Sequence, residues 1–417
     1  MVSIWVAQAA IPDPGSWGEP GGSRRTEFSA TGAAPTGTGK GTPMATFQRT
    51  TTTYQPGSRT LPRERYTSEA ILAEERERIF ARGWNCVGRV SRVKEPGDYF
   101  VREIAGESII VLRDRSGKLR AFFNVCRHRG TRICREESGR FRETIQCSYH
   151  AWTYSTDGRL VGAPSMQDVP DFDKADYPLH SAALAEWEGF LFVNVADEPL
   201  PFEKAWAPIQ GRFARYGLPG LVVGHQVVYD VHANWKLVFQ NYSECLHCPT
   251  IHPKLASVLP YQSGANDLTE GPFLGGYMEI KPPNQSATMS GRACGRLVSG
   301  DLPEEDRARG FYYTLMPNML LSLHPDYVNY YMLRPTAVDR TLVESEWLFH
   351  PDTLADPKNN IRDAIEFWDL TNRQDWDIVA QSQLGIASRR YTPGPYSPRE
   401  SVPAAWDREY LRTMGTR

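Results

Sequence analysis

The chain has 417 residues, 41% hydrophobic and 23% charged, an ordinary globular composition with length for two domains or one large domain carrying an insertion. A formal net charge of -2 argues against a polyanion partner such as nucleic acid, and no run of eighteen apolar residues is present to span a membrane. Seven cysteines are too few and too irregular for a secreted disulfide framework; lying near histidines, they point to metal ligation in a reducing, cytoplasmic compartment.

Residues 1–43 are rich in Gly, Pro, Ser, Thr and Ala and short of large apolar side chains, a composition that predicts a disordered extension. Ile4 to Ile11 has no basic residues before it and is interrupted by Gln8, so it does not read as a signal peptide. Met44-Ala-Thr-Phe reads as a translation start. Residues 44–83 form an arm in which Ile71, Leu72, Ile79 and Phe80 recur at helical spacing until Gly83.

From Trp84 the pattern changes to short β-rich runs at Tyr99–Val101, Ser108–Leu112 and Leu119–Val125, separated by the turn signals Pro96-Gly97-Asp98 and Asp114–Gly117. Gly189–Val195 is another strand, so a small antiparallel β domain spans 84–199. Inside it, Cys126-Arg-His128 is followed after eighteen residues by Cys147-Ser-Tyr-His150. Each half pairs one thiolate with one imidazole. That donor set suits a structural zinc or a Rieske [2Fe–2S] cluster, in which one iron takes two Cys and the other two His. Zinc sites more often pair their cysteines two to four residues apart; the order here is that of a Rieske centre.

Residues 200–417 mix strands, at Gly224–Val231, Phe311–Met316, Tyr327–Leu333 and Thr341–Phe349, with a long helix from Asp363 to Gly385. The irregular order predicts an α+β class. The stretch Asn234 to His252 packs Asn241, Glu244, His247 and His252 closely together. Two imidazoles and a carboxylate suit a divalent metal with open positions, above all non-haem Fe(II), although taken alone the stretch is also compatible with zinc or with no metal. Glu244 and His247 are three apart and share a helical face, and Pro249 is expected to bend the helix so that His252 turns back. On the late helix, Asp375 and Asp377 both offer a carboxylate, but roughly 200° apart around the axis, so both cannot face one ion. Cys245 and Cys248, flanking His247, are expected to be buried structural thiols rather than ligands, and Cys86 and Cys294 carry no signal. The remaining histidines are expected to be structural, with His324 a candidate pocket residue.

Cys126-Arg-His128-Arg-Gly and Cys147-Ser-Tyr-His150-Ala-Trp-Thr-Tyr resemble the Rieske motif of ring-hydroxylating oxygenase α subunits, and Cys134 lacks the second cysteine that respiratory Rieske proteins would pair with it. Asn241-x-x-Glu244-x-x-His247-x4-His252 resembles the same family's mononuclear iron motif. The resemblance implies His247 and His252 as iron ligands with Asp375, upstream of Gln383-Leu-Gly385, as the third. It implies a Rieske domain inserted in a helix-grip (START-like) catalytic domain, and a homotrimer in which one subunit's cluster serves its neighbour's iron. Glu244, where most ring dioxygenases have Asp, is similar to the carnitine, choline and glycine betaine oxygenase branch and is implied to bridge the two metal centres. Asn241 is expected either to support the iron or to cap backbone.

The function so implied is that of a terminal oxygenase using O₂ and electrons from a separate NAD(P)H-dependent ferredoxin-type reductase, since no nucleotide-binding Gly motif is present. Its expected reaction is oxidative N-demethylation of a betaine-like quaternary ammonium compound. The alternatives are hydroxylation or O-demethylation of an aromatic compound and, from another class, a non-catalytic electron carrier or zinc-stabilised binding module. Tyr312, Tyr313, Tyr327, Tyr330 and Tyr331 are candidates for an aromatic cage, against ordinary sheet packing.

Overall fold

The computed structural model describes residues 46–415, so the predicted extension over 1–43 lies outside the described residues. Two β assemblies share this body. The larger is an eight-stranded antiparallel sheet with spatial order Gln48–Arg49, Ala265–Leu268, Phe273–Glu279, Arg309–Leu315, Met319–Leu323, Val328–Ala337, Arg340–Phe349 and Val222–Val231. Both of its faces are covered. Because side chains alternate across a strand, Tyr331 and Leu333 enter a core with the helices, whereas Tyr330 and Met332 enter the opposite core with Trp187, Phe190 and Phe192. The helix Arg362–Ile386 is gripped along the first face through Phe367, Trp368 and Val379.

The smaller assembly holds the sheet Leu119–Phe123, Glu107–Arg113, Asp98–Ile104 and Ser138–Arg140, the sheet Thr144–Gln146, Thr153–Ser155 and Leu160–Gly162, and the sheet Ala183–Trp187, Phe190–Asn194 and Asn85–Arg89. It is joined to the large sheet by polar pairs. Asn318 Nδ2 donates to the carbonyl of Cys86 at 2.9 Å, and the Cys86 N–H donates back to Asn318 Oδ1 at 2.8 Å. Arg92 pairs with Glu344 and Glu346 on the strand Arg340–Phe349.

In the arm, Ser68 caps the helix Glu69–Glu75 by accepting from the Ile71 N–H, and a π-helical turn Arg76–Phe80 continues it to the stop before Gly83. Glu75 is fully buried and pairs with the equally buried Lys236 at 2.6 Å. It also accepts from Trp235 Nε1 at 2.8 Å and from the Tyr410 hydroxyl at 2.6 Å. One carboxylate thereby ties the arm, the helix Trp235–Tyr242 and the C-terminal helix Ser401–Thr413 together. Glu75→Ala strands an uncompensated ammonium, and a loss of about 3–5 kcal/mol in chemical denaturation is expected; a loss under about 1 kcal/mol would show that the pair is dispensable.

Three of the strands of the large sheet that were not visible as pattern show why. Phe273–Glu279 contains Gly275-Gly276, whose lack of Cβ is required: one built on Gly276 would lie 2.0 Å from the Ala265 carbonyl oxygen. Met319–Leu323 follows Pro317 and is buried on both faces, and Ala265–Leu268 is only four residues long.

Candidate metal centres and the cavity between helix and sheet

The first constellation is built from two loops of similar form. In one, the Cys126 N–H donates to the Thr131 carbonyl and Gly130, at φ +72°, donates back to Cys126; in the other, Cys147 N–H donates to Trp152 and Ala151, at φ +55°, donates to Cys147. Asn124 fixes the first loop, accepting from Ile133 and Cys134 N–H and donating to the Cys134 carbonyl. The loops bring the His128 and His150 rings to 4.7 Å, with Trp152 stacked on His128 at 4.8 Å. Both sulfurs are buried. Burial pushes the Cys126 thiol up, and the neighbouring Cys147 adds to this against the Tyr154 hydroxyl, which lies 3.4 Å from the Cys126 sulfur.

This set fits a two-iron cluster better than one zinc. A tetrahedral zinc draws four donors into one small cage. Among the described residues, the one group of three or more His, Cys, Asp or Glu whose donor atoms converge within 4.8 Å is His247, His252 and Asp375; the loop residues do not form such a group. His128 Nδ1 is buried without a hydrogen-bond partner, a state expected of an atom that ligates a metal.

The second constellation lies between the large sheet and the long helix. The preceding helix runs Trp235–Tyr242, started by Asn234, whose side chain accepts from the Lys236 N–H. Buried Gln383 accepts from the Asn234 N–H at 3.0 Å and donates to the Tyr66 carbonyl, clamping this helix start to the long helix. The expected bend at Pro249 is displaced. The helix ends at Ser243, Glu244 to His247 form a turn, and Pro249 sits in the first turn of a new short helix, Cys248–Ile251, where its missing N–H costs nothing. Glu244 and His247 thus meet across a turn rather than along a helical face.

His247 Nε2 lies 3.3 Å and His252 Nε2 2.8 Å from Asp375 Oδ1. The outer nitrogens are held. His247 Nδ1 meets Glu244 Oε1 at 2.6 Å, and His252 Nδ1 meets Gln374 Oε1 at 2.8 Å, which leaves both Nε2 atoms for a metal. Glu244 Oε2 accepts from the Leu246 N–H, so the carboxylate is fixed at both oxygens. Burial would raise Asp375, but the two histidines hold it below the usual carboxylate range. Burial would lower His247, yet Asp375 and Glu244 raise it to about 10, the same negative field that would favour a divalent cation there. Two neutral imidazoles and one carboxylate fit Fe(II).

Asp377 is exposed and outside this group. Asn241 lines the cavity, and its backbone carbonyl accepts from the Ser243 N–H at the end of the helix. Gln374 went unrecognised in the sequence although it adjoins Asp375, because an amide beside a ligand has no spacing signature.

Cys245 and Cys248 differ from expectation. They form a disulfide, not a pair of thiols, because the turn after Ser243 brings their Cα atoms to 4.9 Å. Neither sulfur is then a thiolate, in keeping with their exclusion as ligands.

A cavity of about 930 Å³, open mouth included, adjoins the triad. Of the five tyrosines named above, only Tyr312 lines it, with Tyr242, Tyr261, Tyr277 and Trp368. Tyr313 donates to Asp267, Tyr327 to the Ala287 carbonyl, Tyr330 to Glu346 and Tyr331 to Asn372, all within packed cores. His324 lies behind this wall, fully buried and stacked on Tyr327 at 4.4 Å. Burial lowers its pKa to about 3, so it stays neutral.

Residues 83–173 match the Rieske [2Fe-2S] domain family, and residues 218–416 match the family described as ring hydroxylating alpha subunit (catalytic domain). The chain is 31% identical over 377 residues to the glycine betaine monooxygenase oxygenase subunit of Chromohalobacter salexigens, covering 82% of each. It is 30% identical over 339 residues to the carnitine monooxygenase oxygenase subunit of Escherichia coli K12, covering 80% of this chain and 85% of that one. Among solved structures, a quaternary ammonium Rieske monooxygenase in complex with L-carnitine superposes with a TM-score of 0.71 at 26% identity, covering 85% of this chain and 95% of the other. Among the described residues, no helix is long and apolar enough to cross a membrane.

Proposed function

The chain belongs to the Rieske non-haem iron oxygenases, as a terminal oxygenase subunit, and from this we propose that it oxidises an N-methyl carbon of a betaine-like quaternary ammonium compound. The observation that carries the substrate class is the aromatic wall beside the triad: Tyr242, Tyr261, Tyr277, Tyr312 and Trp368 line one cavity with His247, His252 and Asp375. Ring faces attract a cation that cannot be neutralised, and a quaternary ammonium offers no proton to a hydrogen-bond acceptor. The named activities of the glycine betaine and carnitine relatives favour the same class.

In this reading Cys126, Cys147, His128 and His150 hold a [2Fe–2S] cluster, and His247, His252 and Asp375 hold Fe(II). When bound, the cluster supplies single electrons and the iron binds and activates O₂. Glu244 and Gln374 orient the two imidazoles from their outer nitrogens, and the aromatic side chains place the methyl group and exclude water. Electrons reach the cluster from a separate NAD(P)H-dependent reductase. A homotrimer brings one subunit's cluster to Glu244 of the next. Overall, one O₂, two electrons and two protons convert the N–CH₃ group to a carbinolamine and water, and the carbinolamine releases formaldehyde.

The test has two parts. Anaerobically purified protein is expected to hold roughly three irons per chain and a Rieske EPR signal; stoichiometric zinc would overturn the oxygenase assignment of the sites. With a surrogate reductase, formaldehyde is expected from betaines. Turnover confined to aromatic acids would replace the quaternary ammonium class by aromatic hydroxylation.

A further inference from the structure

The cavity beside the triad contains one charge that the metal chemistry does not use. Glu244, His247, His252 and Asp375 are bound to one another. Arg399 also lines the cavity, half-buried, on the turn Pro398–Glu400 that leads into the C-terminal helix. Its guanidinium rests on the Tyr261 ring at 5.1 Å and, among the described residues, makes no ion pair. The adjacent Glu400 is not its partner, because its side chain caps the turn by accepting from the Ser397 N–H at 2.8 Å. Asn266 and Thr50, hydrogen-bonded at 3.1 Å, line the same cavity with neutral polar groups.

A fixed cation in a cavity proposed to receive a cation is a contradiction unless the ligand brings an anion as well. We propose that Arg399 binds the carboxylate of a zwitterionic substrate whose quaternary ammonium lies among the aromatic side chains. This rests on the quaternary ammonium reading and narrows it. Arg399 is then a specificity determinant. Its forked N–H groups match a carboxylate two by two, and the Tyr261 ring, 5.1 Å from the guanidinium, supports it by a cation–π contact. The same charge repels a plain cation such as choline, so discrimination comes from attraction of one ligand and repulsion of the other.

The test is calorimetric binding to anaerobic holoenzyme of glycine betaine, carnitine and choline, with wild type, Arg399→Gln and Arg399→Lys. Wild type is expected to bind the two carboxylate-bearing ligands and to bind choline far more weakly. Arg399→Gln is expected to weaken the carboxylate-bearing ligands by about ten- to a hundredfold, the range of a charge-assisted hydrogen bond, and to leave choline binding equal or tighter. Arg399→Lys, which keeps the charge but not the fork, is expected to fall between. An unchanged Rieske EPR signal and melting temperature accompany the expected result. A variant that loses all three ligands equally, or none, overturns the role of Arg399 and leaves the quaternary ammonium reading standing. Wild type that binds none of the three while binding an aromatic acid overturns both.

Discussion

Asp375→Ala is expected to leave about two irons per chain instead of three, with the Rieske EPR signal intact and turnover reduced by roughly three powers of ten. The reasoning starts from one oxygen. Asp375 Oδ1 faces both His247 Nε2, at 3.3 Å, and His252 Nε2, at 2.8 Å, so its removal leaves two imidazoles and no anionic donor. A neutral pair does not offset the hydration that a divalent cation gives up on entering a half-buried site. The proposed cluster ligands Cys126, His128, Cys147 and His150 stand on loops of the other β assembly, so that centre is expected to persist. Asp377→Ala is the control. It lies two residues on, outside the converging group, and should keep all three irons. Metal analysis and EPR on both variants decide the matter: full mononuclear iron in Asp375→Ala, or its loss in Asp377→Ala, would move the ligand.

The legible and illegible parts of this chain separate by physical cause. Candidate ligand residues were legible because metals demand particular donors: Cys126, His128, Cys147 and His150 carry their order in the chain, and the donor atoms of His247, His252 and Asp375 converge. Strands with regular spacing, such as Arg340–Phe349, were legible too. What failed needed three dimensions. Tyr312 and Tyr313 are neighbours in sequence, yet a strand sends them to opposite faces, so one lines the cavity and the other packs against Phe213. Phe273–Glu279 was not among the expected strands, and the adjacent Ala265 backbone shows why its Gly276 admits no Cβ. Pro249 reads as a break, whereas it opens a helix. Arg399 is invisible as an isolated basic residue; only the cavity gives it meaning.

Glu244→Gln isolates the residue whose two roles differ most in consequence. In the structure its Oε1 meets His247 Nδ1 at 2.6 Å and its Oε2 accepts from the Leu246 N–H, so it already supports the metal site. A carboxylate has about four acceptor positions; the His247 N–H, 3.4 Å from Oε2, takes a third, and one remains for a histidine of a neighbouring subunit's cluster. Gln keeps the size and one carbonyl acceptor, enough to hold His247, but replaces the other acceptor with a donor and removes the charge. If Glu244 connects the two centres, the variant keeps three irons and its Rieske signal while turnover falls about a hundredfold, at the upper end for groups behind the ligands. The discriminating measurement is a single turnover: reduced enzyme with bound substrate is exposed to O₂, and reoxidation of the cluster is followed by its visible absorption. Slow reoxidation with full iron identifies a bridge. Loss of mononuclear iron with normal reoxidation in the subunits that retain it would confine Glu244 to orienting His247, and unchanged kinetics with full iron would remove it from both roles.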